Sequence, residues 1–188
     1  MWTVDEKWIL HYTPETKQRS KQWTSSGEPT LKKAKSVPSA GKVMTTIFWD
    51  SKGIIHIDYL EKGKIITGKY YGDLLGRFDK ELERKNALIW PRKKCRSITT
   101  AHRPIHPQLP TAKLIELRYE LLSHPLYSPD LAPCDFLFLN PKIWLGGKKF
   151  ASNEVIAATN VYFAEFQPSY FLDGLKKWEH RWTKCISK

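Results

Sequence analysis

Two β-branched and aromatic runs, joined by residues suited to a tight reversal, constrain this chain more than any other feature. Lys42 to Asp50 reads KVMTTIFWD, Ile54 to Leu60 reads IIHIDYL, and Asp50-Ser51-Lys52-Gly53 lies at their junction. Branching at Cβ favours extended backbone and packs well on a pleated surface. Asp and Gly supply the local acceptor and the conformational freedom that a turn needs. An antiparallel hairpin is therefore expected, and with it a sheet. Helical periodicity follows in Thr67 to Lys85, where Leu74, Leu75, Phe78 and Leu82 share one stripe. A second helix is predicted over Ala112 to Leu121, on the spacing of Leu114, Leu117 and Leu121. A third, capped by Asn153, carries Val155, Ala158, Tyr162 and Phe166, and a last one carries Leu172, Leu175, Trp178 and Trp182. Near the start, Trp8-Ile9-Leu10-His11-Tyr12 is a short strand-like run just after Asp5. Residues 13–41 hold Pro, Gly, Ser, Thr and Lys without sustained periodicity and read as a long loop insertion after that first strand. Strands first, then strands and helices in alternation, then helices, define a mixed α/β class. With no repeat and no composition break, residues 1–188 read as a single domain.

Composition narrows the function. A 41% hydrophobic and 13% aromatic content supports a packed core. The 31 Lys and Arg against 19 Asp and Glu, a net charge of +12, favour a polyanionic partner, most often nucleic acid. An anionic membrane surface is the rival partner, but no basic amphipathic helix serves it and no apolar run is long enough to span a bilayer. Cys95, Cys134 and Cys185 are scattered and odd in number, which suits a reducing compartment. MWTVDEKWIL lacks the apolar core of a signal peptide. An intracellular location follows.

The segment His124 to Asp135, HPLYSPDLAPCD, followed by Phe136-Leu137-Phe138, closely resembles the signature HPPYSPDLAPSDF of mariner DNA transposases, departing at Leu126 and Cys134. VDEKWILHYTPETKQ at Val4 to Gln18 is similar to the first catalytic segment of that family. WTSSGEP, VPSAGKVM, FWDSKGII, WLGGKKF and YFLDGLKKWEHRW agree with it in the same order, so the resemblance spans nearly the whole chain. It implies a ribonuclease H-like fold, a mixed sheet flanked by helices, in which three carboxylates converge on two divalent metal ions, Mg²⁺ or Mn²⁺. Paired ions can activate the attacking oxygen and stabilise the leaving one, and hard cations take oxygen ligands. By this resemblance Asp5 is the first catalytic and metal-binding carboxylate and Asp135 the third. It also implies DNA as partner, a homodimer, a nuclear location and no small-molecule substrate. The family carries helix-turn-helix DNA-reading modules ahead of this domain; the chain begins almost at Asp5, so these are expected to be absent.

The second carboxylate breaks the pattern. Counting back from Asp135 by the family spacing lands on Thr100, which has no charge to offer a metal. Where the family reads H-H-D-N-A-P-A-H-T-S-A-V-A, Ile98 to Pro110 reads ITTAHRPIHPQLP. A gene for the family segment, read one nucleotide late, yields I-T-T-M-H-R-P-I-H-P-Q-L-P, agreeing everywhere except at Ala101. Synonymous codons are free in that exercise, but the first-base constraint is not, and it holds at the same positions. Residues 95–110 are thus read as a frameshifted segment, entered near Lys94 or Cys95 and restored near Thr111. A damaged central strand is expected, with Arg96 in an interior position and coil from Lys94 to Pro110, because Pro104, Pro107 and Pro110 oppose a regular helix.

His102 and His106, with no helix to align them, are not read as zinc ligands, and Gly146-Gly147 reads as a helix stop rather than a phosphate cradle. Lys32, Lys33, Lys35, Arg92, Lys93, Lys94, Lys148 and Lys149 are candidate phosphate contacts. The sequence supports a catalytically inactive transposase remnant with non-specific DNA affinity. Its alternatives are a weak metal-dependent nuclease using a substitute carboxylate, and a co-opted DNA-binding or dimerisation module.

Overall fold

The structure, a computed structural model, describes residues 2–15, 19–21, 23, 27, 36–86, 96–99, 108–122, 128, 131–133, 137 and 144–186. The elements are strands β1 (Trp2–Leu10), β2 (Lys42–Asp50) and β3 (Gly53–Tyr59), helix α1 (Gly68–Asn86), strand β4 (Arg96–Thr99), helix α2 (Gln108–Glu116), strand β5 (Glu120–Leu122), and helices α3 (Ser152–Ala164) and α4 (Pro168–Ile186). One sheet takes the order β3-β2-β1-β4-β5. Its first half is antiparallel, β3 to β2 to β1, and its second half is parallel, β1 to β4 to β5.

The expected hairpin forms. Asp50 Oδ1 accepts from the amides of Lys52 at 2.7 Å and Gly53 at 3.2 Å, and Gly53 takes φ +134 to reverse the chain. β1 runs longer than the alternation of Trp8 to Tyr12 suggests. It pairs with β2 from Trp2 to Leu10 and with β4 at Trp2 to Val4, and it is covered on both faces. Trp2, Thr3, Val4 and Asp5 are consecutively buried, which erases the two-residue period that marks a half-buried strand.

The sheet separates two cores. Trp2, Val4, Phe48 and Ile55 pack against Leu74, Leu75 and Phe78 of α1 and Leu114 of α2, with Phe48 and Phe78 stacked at 4.3 Å. On the opposite face Ile47 and Trp49 meet Leu137, Tyr162, Phe163 and Phe171, while Ile9 and Val43 meet Leu145 and Val155. The sheet is thus flanked by α1 and α2 on one side and by α3 and α4 on the other.

Several sequence expectations are corrected. The segment expected to be coil from Lys94 to Pro110 contains β4, only four residues long, which lies between β1 and β5. α2 begins at Gln108 rather than Thr111. Pro110 falls in its first turn, where a missing N–H breaks no helical bond. The second helix ends at Glu116, and Leu121 belongs to β5. Arg118, at φ 60, closes it: Tyr119 N donates to Leu114 O at 2.9 Å and Arg118 N to Ile115 O at 2.9 Å, a left-handed helix stop that periodicity alone does not reveal. Ala151, not Asn153, precedes α3, and Glu154 reaches back to accept from the Ala151 amide at 2.8 Å. In α4 the inward stripe runs through Phe171, Leu175, Trp178 and Trp182, and Leu172, 44% exposed, lies off it. Among the described residues, the 13–41 insertion holds no helix or strand element. It is pinned at Ser39, whose Oγ accepts from Tyr12 N at 3.0 Å and donates to Gly41 O at 2.8 Å.

Candidate active site and nucleic-acid interface

Asp5 sits in the middle of β1, not before a strand, in register with Ile47 and therefore on the α3/α4 face. Its side chain is 7% exposed, and Lys7, two residues on and on the same face, brings Nζ within 2.9 Å of its Oδ2 at 20% exposure. A carboxylate this buried requires such compensation. Spacing alone does not show Lys7 as a partner of Asp5; a strand running through Asp5 puts the two side by side. Glu6 points to the other face, where burial first and the charge of Asp5 second raise its pKa. Tyr71 is likewise raised, by burial first and then by the charge of Glu6.

β4 approaches this site by its C-terminal end. Val4 pairs with Thr99, so the last residue of β4 lies beside the residue preceding Asp5. Thr100 is next in the chain; it lies outside the described residues, as do Asp135, Lys32, Lys33, Lys35, Arg92, Lys93, Lys94, His102 and His106. The segment bearing Asp135 is nonetheless anchored on either side of that residue. Leu131, Ala132 and Leu137 are buried, Trp178 Nε1 donates to Leu131 O at 2.7 Å, and Tyr170 Oη donates to Leu137 O at 2.6 Å. α4 thus holds Leu131 and Leu137, the described residues that flank Asp135 in the chain. Among the described residues, no group of three His, Cys, Asp or Glu side chains comes together.

Lys148 and Lys149 are exposed on a turn joined to the tail of β1. Tyr12 bridges Lys149, Thr13 bridges Gly146, and Gly147 N donates to Thr13 O at 2.8 Å. Gly147 has φ +81, and a Cβ there would lie 2.7 Å from the Glu15 side chain, so this turn requires glycine. Lys148 Nζ stands 4.1 Å from the Trp144 ring centroid and Lys149 Nζ 5.8 Å from that of Tyr12.

A sheet of this order, with its antiparallel and parallel halves meeting at a central strand that carries a buried aspartate, is that of a ribonuclease H-like domain. Residues 13–90 match the family model described as Transposase (partial DDE domain). Over 186 residues the chain is 33% identical to human histone-lysine N-methyltransferase SETMAR, covering 98% of this chain and 27% of that protein. It is 29% identical over 188 residues to the Mariner Mos1 transposase of Drosophila mauritiana, covering 98% of this chain and 54% of that protein. The pre-cleavage Mos1 transpososome superposes with a TM-score of 0.87 at 28% identity, over 99% of this chain and 54% of that one. Similar Mos1 paired-end complexes are solved with Mn and with Mg. Together these matches support a mariner transposase catalytic domain. The chain spans about half the length of Mos1 transposase and about a quarter of SETMAR.

Proposed function

We propose that this chain is a mariner transposase catalytic domain that has lost DNA strand cleavage and keeps non-specific affinity for DNA. The single observation that carries the reading is the pairing of Val4 with Thr99, because it directs the end of β4 toward Asp5 and the following residue is Thr100. A carboxylate at that point would share a divalent ion with Asp5; a threonine hydroxyl supplies no negative charge. The donor set at positions 5, 100 and 135 does not fit two divalent ions, which repel each other and need anionic ligands between them. The Lys7 ammonium beside Asp5 already neutralises one of the two remaining carboxylates. A homodimer and a nuclear location belong to the same reading, as inheritances of the family. No helix among the described residues is long and apolar enough to cross a membrane.

The test is nicking of a duplex bearing a mariner terminal repeat, with Mg²⁺ or Mn²⁺ present. Losing one anionic ligand lowers the rate by about three decades or more, at ~1.4 kcal/mol per decade, so no product is expected. Thr100→Asp alone is expected to stay inactive, because the residues around it also differ from the family segment. Robust cleavage by the unmodified chain, abolished by Asp135→Ala, overturns the reading.

A further inference from the structure

The tail of β1 is held between two basic segments, and aromatic rings lie beside the cations in both. On one side Gly41-Lys42 runs along it: Leu10 pairs with Lys42, and His11 N donates to Gly41 O at 3.0 Å. A Cβ on Gly41 would fall 2.5 Å from His11 Nδ1, so the His11 ring lies directly against Gly41. On the other side runs the Gly146–Phe150 turn, with Phe150 N donating to His11 O at 2.9 Å. Lys42 Nζ stands 4.2 Å from the Trp8 ring centroid, and Trp8 is 45% exposed, although a tryptophan is ordinarily among the better buried side chains. With Lys149 on Tyr12 and Lys148 on Trp144, three ammonium groups lie against three aromatic rings around one end of the sheet. Glu15, against Gly147, is the opposing carboxylate here.

We infer that this rim binds single-stranded DNA, with the ammonium groups of Lys42, Lys148 and Lys149 taking phosphates and the exposed Trp8 ring stacking an unpaired base. The physical reason for the strand preference is the π face. In a duplex the faces of the bases are covered by their stacked neighbours, leaving only phosphates for the lysines. An unpaired base can lie on an exposed indole whatever its identity, and cations set among aromatic rings follow the backbone between stacked bases. The inference rests on the DNA-binding part of the proposed function and specifies the form of DNA.

The experiment uses the full chain and fluorescence anisotropy with a labelled oligothymidylate, alone and annealed to its complement, over a range of salt. The single strand is expected to bind more tightly. Trp8→Leu, which keeps apolar bulk without a π face, is expected to weaken single-strand binding about ten-fold and leave its salt slope unchanged. Trp8→Phe is expected to retain most of the affinity. Lys42→Gln and Lys149→Gln are each expected to reduce the log–log salt slope by about 0.7. Equal or tighter binding of the duplex, undiminished binding by Trp8→Leu, or an unchanged slope in both lysine variants overturns the inference. Binding to neither form removes the proposed DNA affinity as well.

Discussion

His56 on β3 shows how one side chain carries a pH dependence into the fold. Its ring lies 6.2 Å from that of Phe48, and its Nε2 is buried with no hydrogen-bond partner among the described residues. Burial lowers its pKa from 6.5; Asp58 pulls the other way, Arg77 lowers it further, and Glu81 and Lys85 act with opposite signs. A base whose folded pKa is lowered binds more protons when unfolded, so stability rises with pH in the window between the two values. Stability is therefore expected to fall as pH drops from 6.5 through the lower, folded value. Urea midpoints measured across that window should decline in the parent protein and stay flatter in His56→Gln; equal slopes would remove His56 as the cause. The Asp5–Lys7 pair is different in kind: opposite charges on one strand face compensate each other's burial, whereas His56 is most stable uncharged.

At the scale of elements, α4 fixes Leu131 in place and Leu137 on the sheet. Three contacts hold these two residues: Trp178 on Leu131 O, Tyr170 on Leu137 O, and the close approach of Gly174 to the Leu137 side chain. A Cβ at Gly174 would fall 2.4 Å from Leu137 Cδ1, and Leu137 is itself buried with Tyr162, Phe163 and Phe171, so it has little room to yield. Gly174→Ala is expected to destabilise the protein by about 1–3 kcal/mol through overpacking. Chemical denaturation measures it, and the double variant with Leu137→Ala should cost less than the two single changes summed. Strict additivity would show that the two residues do not meet. Nothing in the local pattern FLDGLKKW distinguishes this glycine from a helix-weakening one, because its partner lies far away in sequence.

For the whole molecule, β4 joins the antiparallel half of the sheet to β5. Its amides are flanked by β1 on one side and β5 on the other, so Arg96 to Thr99 are expected to exchange with solvent more slowly than the open edge of β3. Hydrogen exchange at residue resolution checks this, and rapid exchange at all four amides would detach the parallel half from the fold. The sequence by itself determined the hairpin, the helices α1, α3 and α4 in outline, the mixed α/β class and, through HPLYSPDLAPCD, the resemblance to mariner transposases. Each of these is written in local periodicity, in turn chemistry or in a contiguous motif. It did not determine the full extent of β1 or the existence of β4 and β5. β1 is covered on both faces, and β4 and β5 are too short to show a period, so their strands exist only through their neighbours. The placement of Lys7 against Asp5, of Gly174 against Leu137, and of Lys42 and Lys149 on either side of the β1 tail likewise belongs to the tertiary structure. Those distances depend on strand register and helix packing, which join residues that sequence spacing keeps apart or leaves on undecided faces.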